Sequence, residues 1–254
     1  MSGKLRHYLP FLLGALLLGA TLLRALCALP PFGGYRGAYG PIVLNTMEPL
    51  RHAQQAVAAV TFDYRGFDTL AEEFILFAAV AGCLLLLRRQ ESEAAHDPVD
   101  QAGDRGDLEP APAMLGLGVL MFPFTLLLGI YVVLHGHLSP GGGFQGGVLL
   151  ATAFYYVYLS GEYGDLLGMS RDHAVSHLEA TGAAGYVLVG VLALPAGYNY
   201  LHNLLPLGDK GELLSTGMLP LLNIAVGTEV AAAFLLLIAA FLRQVLVIRR
   251  EKKP

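Results

Sequence analysis

The sequence predicts an all-α, polytopic transmembrane protein of about six spans, with a broken glycine-rich segment between spans three and four. Three observations carry that expectation. Of the 254 residues, 55% are hydrophobic and only 14% charged, where soluble domains are about one-quarter charged. Six stretches, 8–29, 69–87, 114–134, 144–160, 181–200 and 220–242, are apolar, and a span takes about 20 such residues. Between the third and fourth, residues 140–147 hold five glycines and one proline, a backbone that cannot keep a regular helix. In hydrocarbon such a break survives only where it packs on protein or lines a polar cavity.

Taken in order, Lys4 and Arg6 precede a first apolar run that contains Arg24 and ends at Cys27, Ala28, Leu29 and Pro30. No small-x-small cleavage pattern follows, so a retained anchor is expected. Residues 30–48 read as a loop rich in Pro, Gly and Tyr. From 48 to 62, with Pro49 at a helix-compatible first position, a short surface helix packed on a neighbouring subunit is expected. The second span opens at Asp68 and Thr69. Residues 90–112 carry seven acidic side chains and three prolines, the composition of a flexible cytoplasmic linker. The fourth span is short and the fifth carries Pro195. Residues 161–180 read as a polar cytoplasmic connection, and 201–219 as the last outer loop. Lys and Arg lie at both ends of the chain and after spans two and four, which favours cytoplasmic termini. Arg36, Arg51, Arg65 and Lys210 fall on the opposite side. Cys27 and Cys83 are isolated and imply neither a disulfide framework nor a metal site.

Ionisable groups at membrane depth are expensive, which makes them functional candidates. At the second span, Arg65, Asp68 and Glu72 fall at i, i+3 and i+7 on one helical face. Arg65 can neutralise Asp68 and leave Glu72 without a cation, which suits a group that exchanges protons. The plainer alternative is that Asp68 and Thr69 cap the span. Glu229 lies near the middle of the sixth span with no basic residue within two turns. Its partner must come from another helix or subunit, whether for a proton or cation relay or for a structural hydrogen bond. In the break, His135 and His137 do not share a face, so a two-histidine metal site is disfavoured. They could carry protons or bond the free carbonyls. His173 and His177 share a face without a third ligand, which favours a solvated or subunit-contacting helix over metal. The glycines are no phosphate loop, because no Lys-Ser/Thr follows and no strand precedes them. Close helix approach is their physical reading.

The run Gly136, His137, Leu138, Ser139, Pro140, Gly141, Gly142, Gly143, Phe144, Gln145, Gly146, Gly147 resembles the signature of the B subunit (MnhB) of Mrp-type multisubunit Na+/H+ antiporters, and the related MbhF subunit of membrane-bound hydrogenases. The run from Leu222 to Val230 resembles the last-span pattern, although many relatives carry Asp where this chain has Asn223. Arg65-Gly66-Phe67-Asp68-Thr69-Leu70-Ala71-Glu72 resembles the MbhE-type segment that ends the large antiporter subunit. The resemblance implies three parts: 1–89 MbhE-like, 90–112 a linker at a fusion point, and 113–254 MnhB-like. It also implies other membrane subunits of an Mrp- or Mbh-type complex as partners, in the cell inner membrane.

The expected function is a non-catalytic membrane subunit of a monovalent cation/proton antiporter, with Arg65, Asp68, Glu72 and Glu229 on the path of Na+ or H+. His137, Pro140, Gly141, Gly142, Gly143, Phe144, Gly146 and Gly147 form its structural motif. No cofactor, metal or nucleic acid is implied. The alternatives are the same module in a redox-driven pump and a purely structural scaffold. A metal enzyme is opposed by the lack of ligand spacing, and a self-sufficient transporter by the absence of an inverted repeat.

Overall fold

A computed structural model describes residues 3–29, 34, 37–87, 112–160 and 173–250. Most of the acidic segment 90–112, and residues 161–172 of the connection expected after span four, lie outside them. The chain divides into two compact units, 1–42 and 43–254. The first carries α1 (Gly3–Cys27), with its apolar stretch over Leu12–Cys27.

After α2 (Tyr39–Arg51), the second unit is built from α3 (Ala56–Ala59) with a π-helical turn Val60–Tyr64, α4 (Gly66–Leu86), α5 (Pro112–Leu134), α6 (Gly143–Leu159), α7 (His173–Val191) and α8 (Leu219–Arg250). Four of these, α4, α5, α7 extended to Ala196, and α8, are long and apolar enough to cross a membrane, while α6 has 17 residues. No strand occurs among the described residues. The architecture is all-α and polytopic.

Two expectations are corrected. Pro49 does not open a helix but sits inside α2, and the 48–62 segment folds as the end of α2, then α3 and the π turn, against its own chain. The fifth span starts at His173 rather than 181. Residues 173–180 looked extramembranous because two histidines and Glu179 lower their hydropathy, yet they contain neither Gly nor Pro and the helix runs through them. It ends instead at the 3₁₀ turn Leu194–Ala196, where Pro195 is followed by Gly197 at φ 81°.

The central element is α8. In its most apolar window 56% of residues are buried, against 17% for α4, 22% for α5 and 33% for α7. It packs on α4, α6 and α7, and more lightly on α5. One apolar cluster joins Phe62, Tyr186, Leu222, Val226 and Val230, and a second joins Val80, Val175, Ala233 and Leu236. Thus α4, which precedes the acidic segment, shares a core with helices that follow it.

The glycines explain how close α6 comes. A Cβ at Gly147 would meet Val230 Cβ at 2.7 Å and the Gly227 carbonyl at 2.9 Å, while one at Gly146 would press on Val133 and the Gly129 carbonyl. Glycine one turn apart on one face, and on the neighbouring face, lets α6 wedge between α8 and α5. At Gly142 the backbone turns into α6 with φ 137°, a conformation that L side chains rarely adopt.

Candidate functional site

The break, the turn before α3 and the loop before α8 meet on one side of the bundle. The His137 carbonyl accepts from the amides of Gln54 (3.1 Å) and Gln55 (3.2 Å), ahead of α3. His52 pairs through Nδ1 with the Gly208 carbonyl at 2.6 Å, and Ser215 Oγ donates to the His52 carbonyl. Asn223, fully buried, accepts from the Gly143 amide at 2.8 Å and donates to the Leu219 carbonyl. It therefore supplies the N-terminal cap that Gly142 lacks. That role uses an oxygen acceptor and no titrating group, which accounts for Asn at this position. The His137 ring is fully buried with neither nitrogen hydrogen-bonded. Burial holds it below the ordinary imidazole range, partly opposed by the carbonyls of Glu212 and Leu213. His135 instead stacks on Tyr131, with ring centroids 4.1 Å apart. His173 and His177 lie exposed on α7.

On this same side a crevice of about 610 Å³ is lined by Arg51, Asp63, Arg65, Asp68, Tyr200 and His202, among others. Its acids have cations. Arg51 pairs with Asp63, whose side chain is only 7% exposed, and Arg65 pairs with Asp68, where both are well exposed. The second pair is the one the i, i+3 spacing predicts. Arg51 also lies over the Tyr64 ring, 5.9 Å from its centroid. Burial raises Asp63 above the usual aspartate range, and the Arg51 charge opposes that rise.

Deeper in the bundle the acids have none. Glu229 on α8 is fully buried, Glu73 on α4 is 2% exposed and Glu179 on α7 is 6% exposed. The Glu73 and Glu229 carboxyls are close enough to interact electrostatically. Both oxygens of Glu229, Oε2 of Glu73 and Oε1 of Glu179 find no donor, and none of the ion pairs among the described residues reaches them. Glu229 thus gains a partner from another helix, and that partner is a second acid.

Helix geometry orders the three by depth. Glu73 is the eighth residue of α4 and Glu229 the eleventh of α8, both counted from the side that holds the break. Gly182 of α7 sits level with Glu229, since a Cβ there would meet the Glu229 amide nitrogen at 2.5 Å. Glu179 lies three residues earlier on an antiparallel helix, about 4.5 Å further toward the opposite side at 1.5 Å per residue. The carboxyls form a line, not a chelate. Among the described residues no three His, Cys, Asp or Glu groups are placed to hold a metal.

Glu72 does not join this line. It faces outward, as do Phe67 and Asp68, whereas Gly66, Thr69, Glu73 and Val80 turn inward. Two bonds fix that rotation. Tyr186 Oη donates to the Gly66 carbonyl at 2.8 Å, and Thr69 Oγ1 to the Thr61 carbonyl at 2.7 Å. Sequence reasoning missed Glu73 and Glu179. The available signal was the 3–4–7 spacing of Gly66, Thr69, Glu73 and Val80, and the small or aromatic Gly182, Tyr186 and Gly190 in register with Glu179.

Comparison with known proteins agrees with this architecture. A family model described as a domain related to the MnhB subunit of Na+/H+ antiporter matches residues 117–236. The uncharacterized protein MJ1307 of Methanocaldococcus jannaschii is 38% identical over 201 residues, covering 73% of this chain and 75% of that protein. A probable A/B subunit of a K(+)/H(+) antiporter of Rhizobium meliloti is 32% identical over 120 residues, 41% of this chain but 12% of that protein. Among solved structures, a chain of the archaeal membrane-bound sulfane sulfur reductase, a respiratory membrane complex, superposes with TM-score 0.72 and 29% identity over 94% of this chain and 98% of its own. A chain of the Mrp complex from Dietzia sp. DQ12-45-1b shares the fold at TM-score 0.69 and 22% identity, over 96% of this chain and 26% of its own. The chain belongs to the family of MnhB-related membrane subunits.

Proposed function

We propose that the chain is a non-catalytic subunit of a multisubunit monovalent cation/proton antiporter, and that Glu73, Glu229 and Glu179 hold and pass protons through it. The observation that carries this reading is the line of three buried carboxyls at staggered depth with no cation beside them among the described residues. Two unit charges about 4 Å apart repel by about 4 kcal/mol at an effective dielectric constant of about 20. Two facing carboxyls therefore share a proton instead of both ionising, and a shared proton is one that can be handed on. Of the residues expected from the sequence, Glu229 keeps its role and Glu73 takes the place of Glu72. Arg65 and Asp68, with Arg51 and Asp63, form the polar mouth.

The basic residues at both chain ends support cytoplasmic termini in a cell inner membrane. The segments 1–89 and 113–254 read as MbhE-like and MnhB-like parts joined through the acidic linker. In both structural neighbours a single chain matches nearly all of this one, which favours that join.

A second reading, the same module within a redox-driven respiratory complex, is favoured by the nearly end-to-end match to the sulfane sulfur reductase chain. Both readings use the same carboxyls and differ in what drives them. The test is cation-dependent proton movement in vesicles holding the intact complex, with Glu229→Gln and Glu73→Gln beside wild type. Loss of transport in complexes that still assemble is expected. Full transport in both variants sinks the relay. Dependence of wild-type transport on an added electron donor would select the redox-driven form.

A further inference from the structure

The α4 face that turns away from the bundle carries a charge with no counterpart. Glu72 is the seventh residue of the span, about 9 Å in at 1.5 Å per residue, and it is exposed. No ion pair among the described residues reaches it. A carboxylate at that depth does not face hydrocarbon without heavy cost. Beside it opens a notch of about 390 Å³, walled by Thr61, Phe62, Thr69 and Gly141–Gly143. Its floor holds Glu73, whose Oε2 is buried and unpartnered. The rim combines exposed apolar Val57 and Phe144, 54% and 46% exposed, with exposed Gln145 and Glu72.

The geometry points to a subunit interface here: a transmembrane helix of a neighbouring subunit lies along α4 and inserts a lysine into the rim of this notch, its ammonium on Glu72. The chemistry of the lining selects that side chain. A lysine has a four-carbon stem that covers apolar surface while its compact charged head reaches past it. Val57 and Phe144 match the stem, and the exposed Glu72 carboxylate with the Gln145 amide oxygen match the ammonium donors. The ammonium compensates Glu72 and stands next to the first carboxyl of the proposed relay, so the inference deepens that reading and rests on it for its mechanistic meaning. The contact itself needs only that the chain works inside a complex.

The experiment treats the intact complex in its native membranes with a membrane-permeant carbodiimide, followed by mass spectrometry of the digested subunits. The reagent activates a carboxyl as an O-acylisourea. An adjacent lysine amine displaces the urea and leaves an amide, whereas without a nearby amine the adduct rearranges to a stable N-acylurea. The expected product is a peptide joining Glu72 to a lysine within a transmembrane segment of another subunit, absent when Glu72→Gln is used. An N-acylurea on Glu72 without any such amide would place it against lipid and overturn the proposal. So would a Glu72 that escapes modification only while Na+ is present, because a small cation would then fill the notch. If Glu229→Gln abolishes transport but no amide forms at Glu72, the interface fails alone. If the amide forms and transport survives Glu229→Gln, the relay fails alone.

Discussion

Asp63 and Glu73 stand ten residues apart on one stretch of chain, and both side chains are buried. Asp63 has Arg51 against it, while Glu73 has Glu229. The first arrangement holds a charge in place and keeps the π turn attached to the end of α2. The second disfavours two charges side by side, so the pair tends to hold a proton, and that is what the proposed relay would use. Burial by itself therefore says little about whether an acid is functional; the sign of its nearest neighbour decides. Removing the acid pair and removing the cation should have opposite signatures, one in transport and the other in stability.

The largest effect falls on transport. Glu229→Gln keeps the shape of the side chain and its capacity to donate, but it cannot release a proton at neutral pH. A positioned proton-transfer group contributes about 10²–10⁴-fold, so transport by the complex should fall by about 10²-fold or more, and Glu73→Gln should match it. Equal recovery of the assembled complex would show that the loss is one of chemistry. Transport within about twofold of wild type in both variants would falsify the distinction drawn between the two regions.

A subtler change tests the spacing of the line. In Gly182→Ala the new methyl would meet Glu229 Cβ at 2.7 Å and the Ala225 carbonyl at 2.8 Å. Overpacking of this kind costs about 1–3 kcal/mol, read as a lower Tm of the purified complex. Because α7 and α8 are pushed apart where Glu179 nears Glu229, transport should fall further than the same loss of stability produces elsewhere. Gly147→Ala, which crowds Val230 on the α6 face of α8, is the control with similar strain and no acid beside it.

How much of this was legible in the sequence depended on what kind of property was asked for. Membrane spans are a matter of composition over about 20 residues, and the helices begin and end near the expected places except at α7. Glu229 stood out because it is alone in the middle of an apolar run. Glu73 did not, because it is adjacent to Glu72, and only the rotation of α4 decides which of them turns inward. That rotation is set by Tyr186 and Thr61, bonds from other parts of the chain. Glu179 was hidden for the opposite reason. Its charge argued that residues 173–180 lie outside the membrane, when burial beside Glu229 is what places it within. The capping role of Asn223 was equally invisible, since it acts on a helix 80 residues away in sequence.

Arg51→Gln should turn the paired region into a copy of the unpaired one. Asp63 would stay buried without its cation, and burial already raises it above the usual range. A carboxyl raised in the folded state binds protons more tightly there than in the unfolded chain. Its stabilising contribution is therefore complete below the unfolded value of 3.8 and is lost as pH rises through the folded one. The variant should approach wild-type stability at about pH 4 and fall about 1–3 kcal/mol below it at about pH 7, the cost of a buried charged group left unsatisfied. A deficit that does not change with pH would mean that Arg51 acts through its packing on Tyr64 and not through Asp63.

The smallest effect belongs to the pair that the sequence advertised most clearly. Arg65 and Asp68 are 61% and 49% exposed, and exposed pairs contribute about 0–1 kcal/mol, less in high salt. Arg65→Ala should lower the Tm of the complex barely measurably. Its effect on transport should shrink as ionic strength rises, because Arg65 lines the open crevice and in the proposed path would act on ions arriving there by a field that salt screens. A loss of transport as large as that of Glu229→Gln, and equal at low and high salt, would move the critical step from the buried line to the mouth.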